Sequence, residues 1–191
     1  MSCTTVMFAN AKGGAGKSTL AFLSAIHFAA THDLRVCVID FDRLRTTYNA
    51  VRRFSGSGVQ SFYLADEHGE GHRVSPDAVR SALDNRRASS DVLFVDTPAG
   101  FPAGTMVPAI RPDIIFVPVA VSDADIMATK AYLPELEEAA SRLSESGGVK
   151  PRIMLVPNQV FSDDQALRIR DAFRGHSVRI ATALAFSRTL R

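Results

Sequence analysis

The chain has 191 residues, of which 46% are hydrophobic and 22% charged, and carries a formal net charge of +2. Disorder and collagen-like repeats are excluded by that composition, no run reaches the roughly 20 apolar residues that span a bilayer, and two cysteines are too few for a disulfide framework or a four-cysteine metal site. With no basic region or cleavage pattern at the N-terminus, the expectation is one cytoplasmic domain over residues 1–191 without a secretory signal.

Thr4 to Ala9 reads as the first strand, followed by a Gly-rich loop and a helix from about Ser18 to Thr31. Arg35 to Ile39 (RVCVI) is a second buried strand that runs into Asp40 and Asp42. Tyr48 to Phe54 has helical character, Ser55 to Gly58 forms a turn, and Gly69 to Arg73 a loop. Ser75 as N-cap with Pro76 at the first helical position opens a helix to about Arg87. Val92 to Val95 (VLFV) is the third strand, ending in Asp96, and Ile114 to Val119 (IIFVPV) the fourth. Asp123 to Leu143 is a long helical segment expected to break or kink near Pro134. Ile153 to Val156 (IMLV) is the fifth strand, ending at Pro157-Asn158. Asp163 to Arg174 is a short helix, and Val178 to Ala181 a last strand or extended piece. Short β-rich runs alternating with helix-length segments predict a mostly parallel, twisted sheet with helices on both faces, an α/β fold. Functional residues then belong at the C-terminal ends of the strands.

Charge is unevenly spread. Residues 1–60 hold seven basic against three acidic side chains, residues 61–149 seven against fourteen, and residues 150–191 eight against three. Basic ends on an acidic middle can steer a polyanion even at small net charge. Ordinary solvated arginines give the same counts.

Between the first strand and first helix stand Lys12-Gly13-Gly14-Ala15-Gly16-Lys17-Ser18-Thr19. Glycines let successive backbone N–H groups point inward at an anion, and the helix that follows adds the positive end of its dipole. Lys17 is placed to reach the β- and γ-phosphates, and the Ser18 hydroxyl to ligate Mg²⁺. Position 11 is Ala, so the strict G-x-x-x-x-G-K-[ST] pattern fails and the form x-K-G-G-x-G-K-[ST] fits instead. On these residues the chain resembles the ParA/MinD family of deviant-Walker P-loop ATPases, from about Thr4 to Asn158. The resemblance implies ATP as ligand and an ATP-sandwich homodimer, with Lys12 crossing to the partner's phosphates.

Two separate apolar strands ending in Asp, in a chain with a phosphate loop, suggest convergence on a metal, although a lone strand-end Asp is often only a turn residue. The resemblance assigns Asp96 and Asp40 to the magnesium shell, Asp42 to orienting the attacking water, and Thr97-Pro98-Ala99-Gly100 to a switch loop. Hydrolysis would be positioning plus electrostatics, with Lys12, Lys17 and Mg²⁺ offsetting phosphoryl charge. Where many ParA-type proteins continue D-x-D-P-Q, this chain has Asp42-Arg43-Leu44. A MinD-like loop is the other possibility there. Asn158 stands where the family places an adenine-binding Asn; a turn residue after Pro157 is the plainer reading.

In the resembled family the nucleotide is a timer: ATP makes a dimer, the dimer binds a surface, and hydrolysis releases it. ParA relatives bind DNA nonspecifically, whereas MinD relatives bind membrane through a C-terminal amphipathic helix. On the helix 163–174, Ala166, Ile169 and Phe173 share one face, Arg170 and Arg174 its flank, and Arg168 faces outward. These arginines, with Arg188, suit phosphate contacts without base readout. The apolar face of residues 181–191 is too small for firm interfacial binding, so no stable membrane association is expected. The expectation is therefore a partition or positioning ATPase for a plasmid or chromosome, nucleoid-associated in its ATP state and stimulated by a partner of ParB type. The alternatives are a MinD-like membrane-associated ATPase and a dethiobiotin synthetase-like ligase. Nitrogenase iron proteins are set aside, because Cys3 and Cys37 lie on or beside strands.

Overall fold

The computed structural model describes residues 3–54, 56–64 and 75–187. In chain order the first half holds β1 (Thr4–Phe8), α1 (Lys17–His32), β2 (Val36–Asp40), α2 (Thr46–Arg53), β3 (Gln60–Tyr63), α3 (Pro76–Arg87) and β4 (Val92–Asp96). The second half holds α4 (Ala103–Ile110), β5 (Ile114–Val119), α5 (Asp123–Glu145), β6 (Arg152–Pro157), α6 (Asp163–Ala172) and β7 (Arg179–Ile180). The seven strands form one sheet in the order β3-β2-β4-β1-β5-β6-β7, and every pairing is parallel. The expected α/β architecture with helices on both faces is what forms.

Period-two alternation sorts the apolar side chains to the two faces. Val6, Phe8, Val36, Val38, Val92 and Phe94 pack with Ala21 and Ala25 of α1 and Val51 of α2. Met7, Ala9, Cys37, Ile39, Leu93 and Val95 pack instead with Val79 and Leu83 of α3, Val107 of α4 and Leu133 of α5. Strands covered on both sides need apolar residues at every position, which is why β1, β2 and β4 read as continuous hydrophobic runs. From the interior strand β1 the chain passes to β2 on one side, then later crosses from β4 over β1 to β5 on the other. Connections diverge around β1, and the phosphate loop leaves its C-terminal end there.

Several boundaries differ from the sequence expectation. The stretch before Tyr48 is already helical, and β3 and α4 are additional elements. QSFY of β3 is a four-residue edge strand, paired on one side only to β2, and α4 contains Gly104 and Pro108, so neither carries a strong local signal. α5 runs unbroken through Pro134 rather than breaking there. Pro134 lies on the exposed side of α5, where the carbonyl it leaves unpaired can be solvated. α6 ends at Ala172, two residues before Arg174. The expected loop at Gly69 to Arg73 lies outside the described residues, as do Ser55 and Arg188.

After β7 the chain runs alongside the exit of β6. Leu184 N–H donates to Pro157 O at 2.7 Å, Val160 N–H to Leu184 O at 3.1 Å, and the Phe186 ring stacks on Phe161 at 4.5 Å. Residues 181–187 are thus extended, not an amphipathic helix. Among the described residues no helix is long and apolar enough to cross a membrane.

Candidate active site

Gly14 and Gly16 adopt left-handed conformations at φ 78° and 99°, and they curl the loop between β1 and α1. Gly16 is the N-cap of α1, with no side-chain cap and no acidic residue in the first turn. None of the backbone N–H groups of Gly13, Gly14, Ala15 or Gly16 donates to a protein acceptor among the described residues. A ring of undonated N–H groups at a helix N-terminus is an anion site.

The loop is held from outside by its carbonyls and its first residue. Asn158 Nδ2 donates to Ala15 O at 2.9 Å, and Gln159 Nε2 to Gly14 O at 3.0 Å. Gln159 itself sits at φ 57°, a costly conformation for a non-glycine residue. Asn10 Nδ2 donates to Pro118 O at 2.6 Å and Thr129 Oγ1 at 2.9 Å, while its Oδ1 accepts from Lys12 N–H. With acceptors turned outward and engaged, the N–H groups remain for a ligand. Gly16 is doubly required, because a Cβ there would lie 2.2 Å from Asn158 Nδ2. Gly16→Ala is expected to lower folding stability by about 2–4 kcal/mol, combining backbone strain and overpacking. Asn158→Ala should relieve only the steric part, leaving the double variant still below the Asn158→Ala parent in a thermal melt.

Lys17 is 6% exposed, and its Nζ donates to Lys12 O at 3.1 Å. Burial lowers its pKa, against the charges of Asp96 and Asp42. Lys12, in contrast, is exposed, and its ammonium makes no hydrogen bond or ion pair among the described residues.

Strand register brings the two buried aspartates together: Asp96 at the end of β4 pairs with Phe8 on one side and Asp40 on the other. Asp96 Oδ2 accepts a 2.6 Å hydrogen bond from Thr47 Oγ1, whereas Oδ1 is buried with no partner. Burial pushes the Asp96 carboxyl up to about 7, and the charge of Asp40 adds to this. The Thr47 hydrogen bond, the nearby Ser18 hydroxyl and the charge of Lys17 work the other way. An orphaned carboxylate oxygen beside Ser18 is the donor set a hard divalent cation takes when phosphates and waters supply the rest. The residues present fit such an ion.

Folding this carboxylate raises its pKa above the ordinary 3.8, so the folded state holds the proton more tightly. The contribution of Asp96 to the stability of the nucleotide-free protein therefore falls as pH rises from about 4 to about 7, and levels off above that. Asp96→Asn removes the buried charge. The variant is expected to match the parent near pH 4 and to exceed it at pH 8 by about 1–3 kcal/mol, read from denaturant melts across pH.

Asp40 is fully buried, and both of its oxygens are engaged: Oδ1 accepts from Asp42 N–H at 2.8 Å and Oδ2 from Tyr48 N–H at 3.0 Å. Burial raises its pKa. These bonds shape the loop that carries Asp42, and each oxygen keeps a further lone pair. Asp42 is half-buried, and its Oδ1 accepts from Leu44 N–H at 3.0 Å. Asn158 gives one N–H to the loop, which leaves its second N–H and its Oδ1 without a partner among the described residues.

The segment after Asp96 is anchored along its length. Thr97 Oγ1 donates to Phe8 O at 2.7 Å, Tyr132 Oη to Phe101 O at 2.8 Å, and the Phe101 ring stacks on Phe41 at 6.1 Å. Beside Gly16 and Thr19 a cavity of about 580 Å³ runs along α1 past Leu23 and Phe28 to Leu184 and Phe186. Thus Lys17, Ser18, Asp40, Asp42 and Asp96 gather at one end of the sheet, and Asn158 abuts them. Arg168 and Arg170 on α6 and Arg174 just beyond it lie apart, with Arg168 paired to Asp123 and Arg174 to Asp171 at 2.6 Å. Sequence reasoning missed Thr47, which bridges Asp96 and the Ser18 carbonyl, and Gln159. The stretch before Tyr48 had no recognisable period, so nothing local marks Thr47.

The family described as the CobQ/CobB/MinD/ParA nucleotide binding domain matches residues 6–181. No curated protein sequence matches significantly. Among solved structures, apo McdA from Cyanothece is 16% identical with a TM-score of 0.70, covering 98% of this chain and 88% of that one. A putative plasmid partition protein from Borrelia burgdorferi bound to AMPPNP is 12% identical with a TM-score of 0.69, covering 98% and 87%. Cobyrinic acid a,c-diamide synthase from Mycobacterium smegmatis with bound ADP and magnesium is 16% identical with a TM-score of 0.73, covering 97% and 87%. At these identities the likeness is one of fold.

Proposed function

The chain belongs to the CobQ/CobB/MinD/ParA nucleotide-binding family, and from that premise we propose that it is a ParA-type positioning ATPase that dimerises around ATP, binds DNA nonspecifically and is released on hydrolysis. The observation that carries this reading is the contrast between the two loop lysines. Lys17 is buried within its own site, whereas the Lys12 ammonium is exposed without a partner among the described residues. A cation held at the mouth of a phosphate loop, turned away from its own protomer, suits the phosphates of a facing copy.

In this reading the N–H groups of residues 13–16 and Lys17 hold the β- and γ-phosphates. Ser18 and Asp96 hold Mg²⁺, which supplies charge neutralisation at the transferred phosphoryl. Thr47 keeps Asp96 in place, and Asp40 sets the loop from which Asp42 orients the water. The base enters the cavity beside Thr19, where the second N–H and the Oδ1 of Asn158 are available to it. A plasmid or chromosome is the cargo this reading favours, with a ParB-type protein stimulating turnover.

Mass in solution tests the dimer: light scattering with ADP and then with a slowly hydrolysed ATP analogue should show a monomer and a dimer. Lys12→Ala should stay monomeric in both while binding nucleotide within about threefold of the parent, since only a cross-protomer contact is removed. A dimer unaffected by Lys12→Ala would sink this role.

A second reading rests on the cavity itself, whose Leu20, Leu23, Phe28 and Phe186 walls extend beyond the loop. A small-molecule ligase would use that space for a co-substrate, and the amide synthase shares the fold. Steady ATP hydrolysis by purified protein with no added acceptor would count against it.

A further inference from the structure

We propose that a second, phosphate-binding site lies at the sheet edge opposite the phosphate loop, between α5 and the N-terminal ends of β6 and β7, and that its ligand is the phosphodiester backbone of DNA. A cavity of about 490 Å³ opens there, and Lys150, Arg152 and Arg179 line it together with Ser141, Ser177 and Glu137. For the source of the phosphate, the proposal rests on the DNA reading above.

Among the described residues, these three cations have no carboxylate within ion-pair distance, and all three are exposed. Elsewhere many of the described basic side chains are engaged by a carboxylate or a ring, although Lys12, Arg43, Arg53, Arg111 and Arg170 have no such partner among the described residues. Arg35, Arg80, Arg87, Arg142, Arg168 and Arg174 each pair with a carboxylate. Arg45, Arg52 and Arg86 lie over the rings of Tyr63, Tyr48 and Phe62. On and just after α6, where the sequence pointed, Arg168 and Arg174 hold their own chain's aspartates, and Arg170 stands alone among the described residues.

Around the cavity the donors open to a ligand are the three cations, since the Ser141 and Ser177 hydroxyls both donate to Glu137. β6–β7 pairing sets Arg179 against Met154, so that Arg152 and Arg179 come from adjacent strands. Lys150 Nζ donates to Ser141 Oγ at 3.2 Å, which holds the ammonium at the rim. The one carboxylate present, Glu137, already accepts from Ser177 Oγ at 2.8 Å. Three cations against one hydrogen-bonded carboxylate leave the cavity positive, and two guanidinium groups with an ammonium match the oxygens of a phosphate. No element here is shaped to enter a groove and read bases, so the contact is to the backbone.

A fluorescein-labelled duplex of mixed sequence, titrated with protein and a slowly hydrolysed ATP analogue at two salt concentrations, tests the site. The triple variant Lys150→Ala/Arg152→Ala/Arg179→Ala should lose at least about tenfold in affinity and about 3 in the slope of log affinity against log salt. Arg170→Ala/Arg174→Ala should stay within about twofold of the parent. Basal ATP hydrolysis and melting temperature should be unchanged in both, since neither set touches the nucleotide loop. Inorganic phosphate, titrated at constant ionic strength while the amide resonances of residues 141, 150, 152, 177 and 179 are followed, provides the second arm. Shifts in the parent but not in the triple variant, with no duplex bound by either, would keep the phosphate site with free phosphate as its source and overturn DNA as its ligand. Parent-like duplex binding by the triple variant would overturn the site while the DNA reading stands. If neither duplex nor phosphate engages the parent, both fall.

Discussion

Lys17→Ala is expected to reduce nucleotide affinity at least about 100-fold, the loss of two charge-assisted hydrogen bonds at about 1.5–3 kcal/mol each. Lys17 is 6% exposed, and its ammonium rests against the Lys12 carbonyl, with its pKa lowered by burial. It is therefore a poorly hydrated charge awaiting an anion, and a phosphate restores what burial removed. The same argument predicts that the nucleotide-free variant melts no lower than the parent, because a costly buried charge has gone. Lys17→Arg should not rescue binding, since a planar fork cannot take the place of a point charge packed behind the loop. Calorimetric titration with ATP and Mg²⁺ decides the matter. Binding within threefold of the parent would remove Lys17 from the phosphate site.

Asp42→Ala should separate chemistry from binding: turnover falls by about 10²–10⁴, the range for a positioned acid–base group, while ATP affinity stays within about threefold. Asp42 is half-buried, its Oδ1 occupied by Leu44 N–H, and its Oδ2 has no protein partner among the described residues. Oδ2 is thus the oxygen available to a water. Asp42→Ala loses the Leu44 bond, but Asp40 still holds the backbone N–H groups of Asp42 and Tyr48, and Arg45 N–H still donates to the carbonyl of residue 42. Single-turnover hydrolysis alongside equilibrium binding reads the two effects apart. A parent rate of hydrolysis in Asp42→Ala would end its assignment.

Arg43-Leu44, in place of the Pro-Gln of many relatives, needs no Pro to keep this turn. Asp42 Oδ1 accepts from Leu44 N–H, Asp42 O accepts from Arg45 N–H at 2.9 Å, and Arg45 takes the left-handed N-cap of α2 at φ 54°. The Asx turn replaces the rigidity that proline would supply. Leu44 at the tip of this turn is 78% exposed.

Local spacing in the sequence already determined the phosphate loop, because glycine positions and the Lys-Ser that follows them encode backbone geometry within a few residues. It also determined most of the parallel sheet, since strands covered on both faces must be apolar throughout. β3 and α4 escaped, the one a short edge strand and the other interrupted by Gly104 and Pro108. Only the tertiary structure set Asp40 beside Asp96, gave Asp96 an orphaned oxygen and placed Thr47 between it and the loop. It alone brought Asn158 onto Ala15 across 143 positions of chain, and separated paired arginines from unpaired ones. Such contacts depend on strand order and register, which are settled by the packing of the whole sheet. Burial then decides which polar groups lose water and must find a partner or a ligand, and no local pattern carries that information.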